Sequence, residues 1–469
     1  MTDAKTSQPA VTRMGNGSEA DRFPPQIKYI IGNEACERFS YYGMIGILEL
    51  YLKDRLQMGA DGATQVLHLF GTAVYFLPLL GGWLADRFWG RYWTILSISL
   101  FYCLGHGTLA LFEGSRAGLL AGLALLAIGA GGLKPCVSAF VGDQFGPNQD
   151  RALTKVYGWF YWAINLGAAF GYFVIPLVRN HAGYGWAFGV PGIFMGLATL
   201  IFWLGTKHYV RQPPQRAHKG AGFWSVAWYA LTHRRERKAG GRFFDAALPR
   251  FAPEEVQGAQ AVAGIVMVFA TVPMFWALFN QVNSTWVLQG KKMTPFYLLD
   301  GETMQSAGAI LVMIWVPILT LGLYPWLERQ GILPTPLRRM SAGMVLGALS
   351  FVGCGFIQSR MDQGATLSVA WQLLPYIVLE AGEVMLSATA LEFAFSQSPE
   401  RMKSIIMSFW LMTIAGGHFL VAVFTNLNSH YVHARGAAEF FFYAALMFVV
   451  AGVFIFLATR YRERRFEKT

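Results

Sequence analysis

The fold class this sequence predicts is an all-α membrane protein, and three observations carry that prediction. Of its 469 residues, 54% are hydrophobic and 14% charged, a balance unsuited to a water-soluble domain of this length. Apolar stretches of about 20 residues, the length a helix needs to cross the hydrocarbon core, recur from residue 27 to residue 460. They are continuous rather than alternating, so they read as helices and not as strands of a barrel.

Twelve spans are expected, at 27–52, 64–86, 92–112, 117–141, 155–178, 186–205, 259–288, 303–327, 340–357, 367–396, 403–427 and 436–460. Before them, residues 1–26 are polar with no apolar core and no small-residue cleavage pattern, and read as a cytoplasmic tail rather than a signal peptide. The one long connection, 206–258, contains "RQPPQRAHKGAG" and "THRRERKAGGR", whose Pro, Gly and Arg mark a linker. It divides the chain into six-helix bundles at 27–205 and 259–460, with a short tail at 461–469. Within the linker, "GFWSVAWYALTH" is too short to cross and reads either as an amphipathic helix on the inner surface or as a flexible loop.

Charge supports this topology. Most of the 38 Lys and Arg fall in the tails, the linker and the even-numbered loops once both termini are set inside. The net charge of +11 then needs no nucleic-acid partner, because its excess faces the inner lipid surface. Cys36, Cys103, Cys136 and Cys354 lie in apolar segments without paired spacing, which argues against disulfides and zinc and for a packing role. No cofactor or metal is expected.

Five ionisable groups stand where an apolar span should have none: Glu34, Glu37 and Arg38 in the first span, Lys134 in the fourth and Glu383 in the tenth. Each costs about 2.5 kcal/mol or more at mid-membrane, so the default reading is a water-lined site. A structural ion cluster is the bland alternative for the first three, which share one helix face with Tyr42. Arg38 and Lys134 offer a positive pole and Glu383 a negative one, as a zwitterion would require. Two adjacent carboxylates, Glu34 and Glu37, cannot both ionise cheaply, so one is expected to carry a proton. The five groups sum to −1, which a single proton neutralises.

The stretch "EACERFSYYG", Glu34 to Gly43, resembles the first-helix ExxERFxYYG signature of the proton-dependent oligopeptide transporters, a branch of the major facilitator superfamily. "GGWLADRFWGRYWTI", "FYWAINLGAAF", "VPMFWALFNQ" and "GEVMLSATALEF" resemble further signatures of the superfamily or of the peptide transporters, so the resemblance runs over about 27–460. It implies a major facilitator superfamily fold of twelve transmembrane helices in two six-helix bundles. It also implies a monomeric, lipid-embedded carrier in the plasma (inner) membrane that imports di- and tripeptides with protons by alternating access. By motif, Arg38 and Lys134 would hold the peptide carboxylate, Glu383 the amino group and Asn165 the backbone. Lys134 and Glu383 would also pair across the inner gate, while Glu34 and Glu37 couple the proton. Tyr42, Tyr75, Trp276 and Trp410 would line side-chain pockets, with ordinary helix packing as the alternative for each.

His68 matches a histidine that takes part in proton handling in the family's animal members; packing near a span end is the other reading. Three departures stand out. Ile45 and Asn280 occupy the places of an outer-gate arginine and acid, so that gate is expected to close without their salt bridge, with His68, and with Asn280 beside it, taking over part of the coupling. Gly308 stands where an asparagine helps hold the peptide amino end. The linker also leaves no room for the two extra helices of many bacterial members.

Rival functions were weighed. A carrier of another small solute, nitrate or an amino-acid conjugate, would share the fold but usually lacks the complete two-glutamate motif. An enzyme would need a nucleophile with its base or a metal cluster, and the nine histidines form no H-E-x-x-H and no G-x-S-x-G is present. A receptor or scaffold would have no use for buried mid-membrane charge.

Overall fold

In a computed structural model, residues 23–146, 149–214, 222–236, 241–398 and 402–461 are described, and they are almost wholly helical. Only two isolated bridges, Thr294 with Ser368 and Phe296 with Leu299, break the pattern among them. Seven helices are long and apolar enough to cross a membrane, or eight when the pair Pro253–Phe269 and Val272–Gly290, bent by 41°, counts as one span. Two of the seven, Gly59–Leu111 with 53 residues and Arg151–Leu204 with 54, are each long enough for two crossings. Ile27–Leu50 and Leu373–Ser396, each 24 residues long, are also of spanning length and carry charged residues in their interiors. Together these helices account for the spans expected from hydropathy.

Local chemistry explains the breaks. The second span runs over Gly59–Phe76 and resumes at Pro78–Leu84, because proline cannot donate into the helix ladder. The fifth and sixth spans are one helix interrupted at Gly183, whose φ of 82° is open to glycine and strained for other residues. Pro273 restarts the seventh span after its bend. The linker helix forms as Phe223–Thr232, which buries Val226 and Ala230 one turn apart while Trp224 and Trp228 stay exposed, the division an interfacial helix needs.

Each half has its own apolar core. One extends from Val226 to Phe454; two others, spanning Phe39–Ala198 and Ile27–Tyr209, fill the first half. Between the first and fifth spans the backbones touch: a Cβ on Gly171 would lie 2.6 Å from the Phe39 carbonyl oxygen and 2.8 Å from the Gly43 nitrogen. Lipid offers no hydrophobic drive between helices, so close approach through small residues supplies the attraction by van der Waals contact.

Cross-half contacts gather at the end expected to face outward. Arg179 pairs with Glu302, and Arg435 reaches Asp61 at 3.1 Å. The Tyr172 hydroxyl donates to Asn283 at 2.7 Å, and the Gln305 amide to the Gly46 carbonyl at 3.1 Å. The halves therefore meet firmly at that end.

The Gly171 contact yields a test. Gly171→Val should push the first and fifth spans apart and cost about 1–3 kcal/mol, the usual penalty of overpacking. Gly196→Ala, with open space around it, should be silent. Thermal unfolding of the detergent-solubilised protein separates the two, and equal melting temperatures would refute the close-packing account.

Candidate functional site

A cavity of about 220 Å³ lies between the halves. Of the residues singled out from the sequence, Tyr42, Tyr75, Asn165, Trp276, Asn280, Gly308 and Glu383 line it, and so does Ile45. Trp410 does not; it is buried behind Trp276, ring to ring at 5.8 Å. Glu34, Glu37, Arg38, Lys134 and His68 also stand outside the lining, all of them buried except the partly buried Lys134.

The first-span cluster forms as the spacing suggested. Arg38 Nε lies 3.0 Å from Glu34 Oε1 and 2.5 Å from Glu37 Oε2. These ion pairs are close but poorly directed, since neither Arg38 Nε nor the Glu37 oxygens complete a hydrogen bond. Both carboxylates crowd one guanidinium, and part of its donor fork is left for another anion.

Lys134 does not meet Glu383 here. Its ammonium has no hydrogen-bond partner and sits over two rings, 3.9 Å from the centre of Tyr75 and 4.4 Å from that of Tyr41. Those ring faces hold a cation without opposing charge. Glu383 instead accepts a hydrogen bond from the Ser387 hydroxyl at 2.6 Å. The expected inner-gate pair is thus unformed in this state, while the halves are joined at the end expected to face outward.

His68 is placed by partners the sequence did not suggest. Its Nδ1 lies 2.9 Å from Nδ1 of His418 in the eleventh span, and its Nε2 lies 2.9 Å from the Ser284 hydroxyl. Asn280, expected to share part of the coupling with His68, lines the cavity with its amide nitrogen unsatisfied. Tyr75 stacks on His418 at 5.7 Å, so Lys134, Tyr75, His418 and His68 form one continuous contact across the halves.

Two buried carboxylates escaped the sequence count. Glu49 accepts from the Thr64 hydroxyl at 2.7 Å, and Glu380 lines the cavity beside Glu383. With both included, the five-group sum of −1 no longer describes the buried charge, and neutrality through one proton is not its arithmetic. Glu49 sits alone in the apolar run "GILELYL", and Glu380 three residues before Glu383 in "YIVLEAGE"; the cost of charge in a span was the signal available for both.

An ion pair not foreseen from the sequence joins Arg179 and Glu302, the latter 2% exposed, at the end expected to face outward. Both residues lie just outside the expected spans 155–178 and 303–327. Burial pushes the Glu302 carboxyl up to about 7, against the lowering pull of Arg179.

Comparison with known proteins bears on this geometry. The POT family profile matches residues 92–439. Rattus norvegicus solute carrier family 15 member 2 is 35% identical over 362 residues, covering 72% of this chain and 50% of its own length. Drosophila melanogaster peptide transporter family 1 is 36% identical over 366 residues, covering 73% and 49%. The chain spans about half the length of these curated relatives. Among solved structures, an auto-inhibited POT family peptide transporter superposes with a TM-score of 0.88 at 39% identity, over 95% of this chain and 99% of that one. The POT family transporter PepTSo gives 0.87 at 37%, over 94% and 98%. The fold is that of the major facilitator superfamily, two bundles of six helices, in a multi-pass membrane protein, and the expectation of a transporter rather than an enzyme agrees with these matches. By its profile match, its relatives and its fold, the chain belongs to the POT family.

Proposed function

We propose that this chain is a proton-coupled symporter that imports di- and tripeptides by alternating access. The observation that supports it most is the Glu34–Glu37–Arg38 cluster buried beside an interhelical cavity that Glu383 and Asn165 enter from opposite halves. One pole of that arrangement suits a carboxylate and the other an ammonium. In this reading Arg38 and Lys134 take the peptide carboxylate, Glu383 the amino end and Asn165 the backbone. Glu34, Glu37 and His68 carry or relay the proton. Lys134 moves from its aromatic cage to Glu383 when the inner side closes. The moving bodies are 27–205 and 259–460, joined by the linker 206–258, in a monomer of the inner membrane with residues 1–26 and 461–469 on the cytoplasmic side and no nucleic-acid partner.

Alternating access requires the outer closure to be breakable. Removing one member of a buried ion pair costs about 3–5 kcal/mol because the other is stranded. Arg179 and Glu302 meet across the closed outer end, and the burial of Glu302 there makes closure depend on pH. Glu302 has its raised value only while buried; once the outer end opens, its carboxyl regains the ordinary range near 4.3. The closed state thus binds the proton more tightly. Its extra stability is fully present below about 4.5 and is lost as pH rises through about 7.

Three outcomes are expected. Proteoliposomes with an imposed proton gradient should accumulate di- and tripeptides, and no accumulation across a varied peptide panel would sink the symport reading. Glu37→Gln should abolish gradient-driven uptake while leaving peptide exchange measurable; persistent driven uptake would remove Glu37 from coupling. Impermeant maleimide should label an Ile45→Cys reporter in a cysteine-free background more at pH 8 than at pH 6, and Glu302→Gln should flatten that difference. A step that survives in Glu302→Gln would assign the pH response elsewhere.

A further inference from the structure

The cavity is more acidic than a zwitterionic ligand needs. Two charged side chains line it among the described residues, Glu380 and Glu383, and no Lys or Arg does. Arg38 is engaged by Glu34 and Glu37, and Lys134 is held by Tyr41 and Tyr75. The two carboxylates are three residues apart on one helix, a spacing that places them on one face about 5–6 Å apart at Cβ.

Glu380 is not a stray surface acid. It is 3% exposed, and its Oε2 has no hydrogen-bond partner. Its Oε1 fills the space that Gly308 leaves open: a Cβ built at 308 would lie 2.6 Å from that oxygen. The missing side chain of the eighth span is thus matched by an extra carboxylate from the tenth. Such a buried, half-satisfied carboxylate is costly by itself, and an arriving cation offsets the cost. Tyr42, Tyr161, Tyr172 and Trp276, whose ring faces also favour cations, line the same cavity.

We propose that Glu380 forms a second cation site beside Glu383 and gives the carrier a preference for peptides whose first residue bears a basic side chain. Glu383 receives the α-ammonium and Glu380 the side-chain cation, both from one residue, with the remainder of the peptide extending toward Arg38. This rests on the peptide reading of the same site.

The test compares lysyl-alanine with norleucyl-alanine, which keeps the apolar stem and removes the charge. Thermal stabilisation of the purified full chain in detergent reads affinity without requiring transport, and competition in proteoliposomes reads transport. The wild type should favour lysyl-alanine by about ten-fold, and Glu380→Gln should bring the ratio close to one. Gly308→Ala, which crowds Oε1 without altering charge, should also reduce the ratio and serves should Glu380→Gln not fold. The ratio decides, whatever the absolute rates. Equal affinity for the two dipeptides in the wild type, or an unchanged ratio in both variants, overturns the proposal and leaves the peptide reading standing. If the wild type binds neither dipeptide, both fall together.

Discussion

Charge buried in an apolar bundle is the constraint on which this structure depends. An ionised group among spanning helices persists only where another charge, a ring face or a set of hydrogen bonds stabilises it. Each buried ion here has a different solution. Arg38 is surrounded by carboxylates, Lys134 by tyrosine rings, Glu49 by a threonine hydroxyl, and Arg179 by a single acid from the opposite half. These solutions draw first, second and fourth spans together in one bundle and tie the halves at one end. Around them, packing through small residues does the rest, since lipid provides no gain from burying one apolar helix against another.

The arrangement of partners also separates binding from closure. Groups expected to contact a ligand stand on or just behind the cavity wall, while Arg179 with Glu302 and His68 with Ser284 connect the halves outside its lining, and His418 belongs to both sets, lining the cavity and meeting His68. A change in one set reaches the other through short routes: Tyr75 borders the cavity, cradles Lys134 and stacks on His418. Such shared residues are a physical means for ligand, proton and gate to bias one another, because each can favour one arrangement of the same ring.

Much of this was legible in the sequence. Hydropathy located the spans, and the spacing of Glu34, Glu37 and Arg38 foretold their cluster. The remainder failed for identifiable reasons. Glu49 is a single acid inside an apolar run, and Glu380 stands three residues before Glu383 without belonging to the motif that singled that residue out. His418 pairs with a residue 350 positions away, a contact that no periodicity encodes. Arg179 and Glu302 sit at helix ends, where charge is common and unremarked, and become meaningful only once two loops from different halves converge. Gly308 illustrates the same point, since a missing side chain reveals nothing until the neighbour that fills its space is known.

The tyrosine cage around Lys134 has a consequence for how the molecule changes state. A lysine that leaves a carboxylate strands an anion in a nonpolar interior, so exchange between two salt bridges meets a penalty at both departure and arrival. Aromatic faces have no net charge to strand. A cation parked on Tyr41 and Tyr75 can depart leaving behind only two neutral rings, so the obstacle to its journey is one-sided, and the resting position behaves as a berth rather than a lock.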